Sequence, residues 1–286
     1  MDKKLVKEEY AKKKKKETKK KKKKSREKKK KKQFTIFGYD MWRITQYFII
    51  YSIVGCIIET LYGLLTKGVI ESRQSMLYIP FCAIYGVGAI LLLCVPKAAK
   101  KNNWTLFITG FIIGSLLEYV VSWVGECIFH IKWWDYSEFP LNINGRICVI
   151  FSIFWGILTI ILHKVINPAV DKIIEKIPVK VMHISTVIII IFIIIDFFVS
   201  SFALKMFSTR LIYNYDLKVQ GAEDYYEEYL NMYQNNENLR EFVDKCFSDE
   251  IMLKTFPNIK FTLQNGNILW VKDILIDIKP YYIKIF

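Results

Sequence analysis

Four carboxylates stand where chemistry is most conspicuous, inside or beside long apolar runs: Glu59, Glu118, Glu126 and Asp196. An ionisable side chain within a bilayer costs roughly 2.5–3.5 kcal/mol on insertion scales, so it faces protein or water instead of lipid. Such groups handle protons, cations or polar substrates; the plainer alternative is a buried structural hydrogen bond. Gly55-Cys-Ile-Ile-Glu59 and Gly114-Ser-Leu-Leu-Glu118 share one spacing of small residue and acid. Each acid lies about fifteen residues past the start of its apolar run, about 22 Å along a helix. Asp196 falls at a similar depth in a later run, and Glu126 lies one or two turns further out. Glu59, Glu118, Glu126 and Asp196 are therefore the candidates for a substrate or proton pathway.

The segment 130–146 supplies a second set. Trp134, Asp135, Tyr136, Asn144 and Arg146 lie among turn-forming residues, and Asp135 is expected to pair with Arg146 across the loop mouth. Nothing resembles a metal or catalytic centre. The chain has three histidines and six cysteines, with no C-x-x-C, no zinc spacing and no H-E-x-x-H. Glu126 and His130 at i, i+4 are too little for a metalloenzyme. The expectation is no metal, no cofactor and no enzymatic activity.

These side chains need elements to hold them. Residues 1–32 contain twenty of the 42 Lys and Arg, whereas Tyr47 to Leu204 is largely free of charge. A soluble tail joined to a membrane domain explains that segregation. Five segments approach the ~20 residues that cross a bilayer: 44–65, 79–95, 104–129, 147–165 and 181–204. The second is short and ends at Pro96. The expected fold is all-α, a polytopic membrane protein with about five transmembrane helices. Three regions follow: a polybasic tail 1–33, a helical membrane domain 34–205 and a small extramembrane region 206–286.

Internal similarity orders the first four spans. The Gly-x-x-x-Glu segments repeat at an offset of 59, and Pro80 with Gly86 is matched to Pro140 with Gly145. Two parallel helix–loop–helix hairpins would place Glu59 and Glu118 at one depth. Their faces are small or polar: Ser52, Gly55, Cys56, Tyr62 and Gly63 in one, Gly110, Gly114, Ser122 and Gly125 in the other.

Lys and Arg bias puts the N-terminus in the cytoplasm. Loops 96–103 and 164–180 carry seven Lys, against Lys67, Arg73, Lys132 and Arg146 in the opposite loops. With five spans the C-terminal region lies outside. There, Tyr226, Tyr229, Leu230 and Tyr233, then Leu239, Phe242, Val243 and Phe247, form helical stripes. Asn265-Gly266 between two apolar triplets predicts a hairpin. The partners expected are the bilayer itself and anionic lipids through Lys12–Lys32, at about 1 kcal/mol per Lys. A homo-oligomer is compatible with this surface, and the lack of aromatics among the lysines argues against nucleic acid.

Gly114-Ser-Leu-Leu-Glu-Tyr119, Trp133-Trp-Asp-Tyr-Ser137, Pro140-x-Asn-x-x-Gly-Arg146 and Phe154-Trp-Gly156 resemble the type IV ABC-transporter permease family (CmpB-like). The resemblance covers about residues 45–166. It implies a bacterial inner-membrane permease-like protein and supplies no catalytic residues. No G-x-x-x-x-G-K-[ST] occurs, so an ATPase subunit would be a separate chain. Loop 96–103 is too short for a coupling helix, while Asn167-Pro168 could open one that Pro178 closes. The alternative is a non-transporting membrane protein that binds lipid or a partner through its outer loops and C-terminal region.

Overall fold

The computed structural model describes residues 35–36, 38–95, 98–278 and 282–284. The tail 1–33 lies outside the described residues. The chain divides into two compact units, Met1–Ile44 and Thr45–Phe286. In the first, β1 (Thr35–Ile36) pairs antiparallel with β2 (Tyr39–Asp40). Gly38 turns the chain at φ +92°, where L side chains are strained. The Asp40 carboxylate then accepts from the Arg43 N–H at 2.8 Å and caps the helix that follows.

Among the described residues, four helices are long and apolar enough to cross a membrane. They are α1 (Met41–Lys67), α3 (Asn103–Phe129), the continuous pair α4 (Val149–Ile161) and α5 (Asn167–Lys176), and α6 (Val179–Asn214). Their burial is inverted relative to a soluble protein. Ile53, Ile57, Leu61 and Leu65 of α1 are exposed, as are Ile108, Ile112, Leu116 and Val120 of α3. Many of the buried positions are small or polar: Ser52, Gly55, Gly110, Gly114, Ser115, Ser122, Ser152 and Thr159. Apolar residues outside and small residues inside are what a lipid solvent demands. This is an all-α polytopic membrane protein.

The second expected span is shorter than its apolar run. Helix α2 (Ala83–Leu93) has only 11 residues, about 16 Å. The chain reaches it through a non-helical stretch, and Cys82 donates its N–H to the Ser52 carbonyl, about 22 Å back from the end of α1. Unpaired backbone at such depth would be costly, and here it is paired. Ser200 Oγ accepts from the Leu77 N–H at 2.7 Å, and Asp196 accepts from Tyr78 and Ile79. The next residue, Pro80, has no N–H to satisfy. Ser75 Oγ accepts from the Ala83 N–H and donates to the Phe81 carbonyl.

Glycines let these helices approach closely. A Cβ on Gly55 would stand 2.4 Å from Tyr85, one on Gly86 2.6 Å from the Phe48 carbonyl, and one on Gly114 2.3 Å from Trp155. Helix α2 thus wedges between α1 and the tightly packed α3–α4 pair. The matched glycines of the proposed repeat do not occupy equivalent places, since Gly86 lies within α2 whereas Gly145 sits in a turn at φ +64°. Cys82 and Cys148 stand at the N-caps of α2 and α4.

Asn167-Pro168 does not open a separate helix. Helix α4 continues into α5 through a wide turn, Leu162–Ile166, that accommodates the missing N–H of Pro168. Tyr47 and Tyr51 of α1 donate to Asp171 and Asn167 there.

Helix α6 runs on beyond its apolar part into the C-terminal region. Ala203, Leu204, Met206, Phe207 and Leu211 pack against Val243, Phe247, Met252, Leu253, Phe261 and Val271. Around them stand α7 (Glu223–Gln234), α8 (Glu237–Cys246), α9 (Asp249–Thr255) and α10 (Val271–Ile274). The expected hairpin forms between the strands Lys260–Thr262 and Ile268–Trp270, turning at Gly266. Arg210 is buried and bonded to Asp244, Asp249 and the Phe247 carbonyl.

Candidate functional site

Glu59 and Glu118 come together, each held by a tyrosine hydroxyl. Tyr85 of α2 donates to Glu59 Oε1 at 2.8 Å, and Tyr136 donates to Glu118 Oε1 at 3.1 Å. Each tyrosine lies within electrostatic reach of both carboxylates. Glu118 is 7% exposed and Glu59 half-buried. The Trp155 indole flanks Glu118 without reaching hydrogen-bond geometry with Oε2, which is buried and has no partner among the described residues.

Aromatic rings wall the pair. Tyr136 stacks on Phe151 at 4.5 Å, and Phe151 meets Tyr62 and Phe139 edge-on. Tyr85 also lies 5.7 Å from Trp155. These two residues border a crevice of about 30 Å³ lined by Gly55, Ile58, Ala89 and Leu158 among others. That holds about one or two waters. Chemically, two acids in a poorly solvated site repel when both are ionised, and a proton or cation between them relieves the repulsion.

The other two candidate acids are engaged elsewhere. Asp196 holds the backbone of residues 78–79 and the Ser200 hydroxyl. Glu126 is the hub of a second cluster, paired with Arg146, accepting from Thr262 Oγ1 at 2.6 Å and lying 3.8 Å from Lys132.

The expected Asp135–Arg146 pair does not form. Arg146 takes Glu126 instead, and Asp135 lies 3.6 Å from Lys132 and accepts from Ser137. The reason is local: the turn brings Lys132 at i−3 beside Asp135, while α3 delivers Glu126 to the loop mouth. The loop is stitched to itself. Trp134 Nε1 donates to the Arg146 carbonyl, Tyr136 N–H to Gly145, and Asn144 to the Tyr119 hydroxyl. Arg146 also lies over the Tyr119 ring at 5.5 Å.

The model of the family described as "Putative ABC-transporter type IV" matches residues 46–201, more than half of the chain. The chain belongs to that family. No curated protein and no solved structure matches it. The segment shared with the type IV family holds Glu59, Tyr85, Glu118, Tyr136 and Asp196; the C-terminal region lies beyond it.

Beyond the family segment, the C-terminal region grips both loops. Asn258 donates to Glu71 and accepts from Lys67, each near 3 Å. Lys260 exchanges two backbone hydrogen bonds with Lys132. The strand Val69–Glu71 pairs with the strand Tyr282–Lys284. Burial alone would push the Glu71 carboxyl up, but the Lys67 hydrogen bond, Arg73 and Asn258 outweigh it and hold it below the usual range.

Sequence reasoning missed Tyr85, Asn258, Lys260 and Thr262. A signal existed for Tyr85: a tyrosine in an otherwise apolar run needs a partner for its hydroxyl. None existed for the others, whose partners lie more than a hundred residues away.

Proposed function

We propose that this protein is the membrane subunit of a bacterial transporter whose ATPase is a separate chain, with Glu59 and Glu118 as the polar point of its path. The observation that carries this reading is the buried Glu118, one oxygen without a hydrogen-bond partner among the described residues, within electrostatic reach of a second carboxylate. Asp196, by contrast, has both oxygens bonded. In this reading the pair accepts a proton or small cation, and Tyr85 and Tyr136 hold the carboxylates toward each other. Lys and Arg bias supports a cytoplasmic N-terminus, which puts the C-terminal region outside the cell membrane. The two hairpins read as parallel repeats around the carboxylate pair.

A second reading has its own support. The C-terminal region bonds to both loops, and the crevice is small. A membrane protein that recognises lipid or a partner through that outer assembly would look the same.

Two measurements separate the readings. Purification of the full chain from native membranes should bring down a P-loop ATPase in stoichiometric amount; its absence favours the second reading. Proteoliposomes carrying the protein and an internal pH or cation dye should report flux that Glu59→Gln and Glu118→Gln each abolish without loss of folded protein. Wild-type flux that survives both substitutions would refute the role of the pair.

A further inference from the structure

A separate cluster on the loop face has chemistry that the carboxylate pair does not use. Lys260, in the first strand of the C-terminal hairpin, is only 6% exposed. Its ammonium lies 4.1 Å from the centre of the Trp270 ring, with Lys272 Nζ at 4.3 Å and Lys67 Nζ at 5.9 Å from the same ring. Three ammonium groups therefore surround one indole. Lys67 is neutralised by Glu71 at 3.0 Å, and the nearby Lys132 by Glu126 and Asp135. Neither Lys260 nor Lys272 forms an ion pair among the described residues.

Such an arrangement is costly as it stands. A buried ammonium normally has a carboxylate partner, and a ring face repays only part of its lost hydration. Burial pushes the Lys260 amine down to about 8; Asp135 opposes the shift, and Lys67, Lys132 and Lys272 add to it. The missing component is negative charge.

We propose that Lys260 and Lys272, packed against the Trp270 ring, form a binding site for a phosphate-class oxyanion, carried by a phospholipid headgroup or by a soluble phosphate. A tetrahedral anion can lie against two or three ammonium groups at once, and lysine meets phosphate as a point charge without needing planar geometry. The position suits a headgroup: Lys67 is the last residue of α1, so the cluster stands where that apolar helix ends. The indole offers an amphipathic surface at the same level. This site is independent of the carboxylate pair and lies mostly outside the family segment.

The test uses the full chain in an uncharged detergent, followed by thermal unfolding. Sodium phosphate is titrated against sodium chloride at equal ionic strength, and phosphatidylglycerol against phosphatidylcholine in mixed micelles. One titration should stabilise the wild type saturably. Lys260→Met and Lys272→Gln should each weaken that midpoint at least tenfold. Lys272 is exposed, so its variant keeps the test valid if the buried one folds poorly. The N-terminal lysines are identical in all variants and cancel. Response to the lipid alone assigns a headgroup, and response to phosphate assigns a soluble anion. No stabilisation in either titration, or equal stabilisation of all three proteins, overturns the proposal.

Discussion

Removing the Asp196 carboxylate tests whether the unwound stretch before α2 depends on a single side chain. Asp196, 3% exposed, accepts from the N–H groups of Tyr78 and Ile79 at 3.1 and 2.8 Å and from the Ser200 hydroxyl at 2.9 Å. Asp196→Ala leaves two backbone donors without their acceptor, at about 1–3 kcal/mol each. Loss of the cost of burying the charge offsets part of this, so the net destabilisation should be about 2–5 kcal/mol. For a chain of this size that corresponds to a fall in Tm of roughly 5–15 °C. Asp196→Asn keeps one acceptor oxygen and should fall between wild type and Ala. The assay is intrinsic tryptophan fluorescence on heating the detergent-solubilised protein. An Ala variant that melts within about 2 °C of wild type would refute the capping argument and return Asp196 to the pathway.

Three further outcomes are expected. Gly114→Val should reduce the yield of folded protein sharply, because even a Cβ there would stand 2.3 Å from Trp155; size-exclusion chromatography of the extracted protein reads this. Lys260 has a folded pKa near 8 against an ordinary 10.5, so the unfolded chain binds more protons between those values and stability should rise with pH across that window. The gain is on the order of 3 kcal/mol, and Lys260→Met should abolish it, as the difference between the two Tm–pH curves will show. Tyr85→Phe should leave the fold intact while freeing Glu59 Oε1, which a changed pH dependence of flux in proteoliposomes would report.

The shared Gly-x-x-x-Glu spacing singled out Glu59 and Glu118 as candidates, and the long helices were legible because apolar length alone specifies them. The shortening of α2 was not. Residues 77–82 are apolar enough to continue a helix, and their N–H groups find acceptors far away in the chain: Ser200 and Asp196 on α6 for residues 77–79 and the Ser52 carbonyl on α1 for Cys82. Apolar runs report the solvent around a segment; they do not report which distant groups will satisfy its backbone. The same limit explains Arg146. Its choice between Asp135 and Glu126 depends on where α3 ends relative to the loop, a distance that spacing cannot supply.

The C-terminal region gives the two hairpin loops a common fastening. Residues 258–262 reach both: Asn258 bonds to Lys67 and Glu71 beside the first hairpin, while Lys260 and Thr262 bond to Lys132 and Glu126 beside the second. Hydrogen bonds to charged groups contribute about 1.5–3 kcal/mol each. The loops therefore cannot separate without breaking several of them together or carrying the segment along with one loop. Tyr136 belongs to the second loop and donates to Glu118, and α2, which follows the first loop, carries Tyr85 to Glu59. Contacts beyond the family segment thus tie together the two loops next to the tyrosines that hold Glu59 and Glu118.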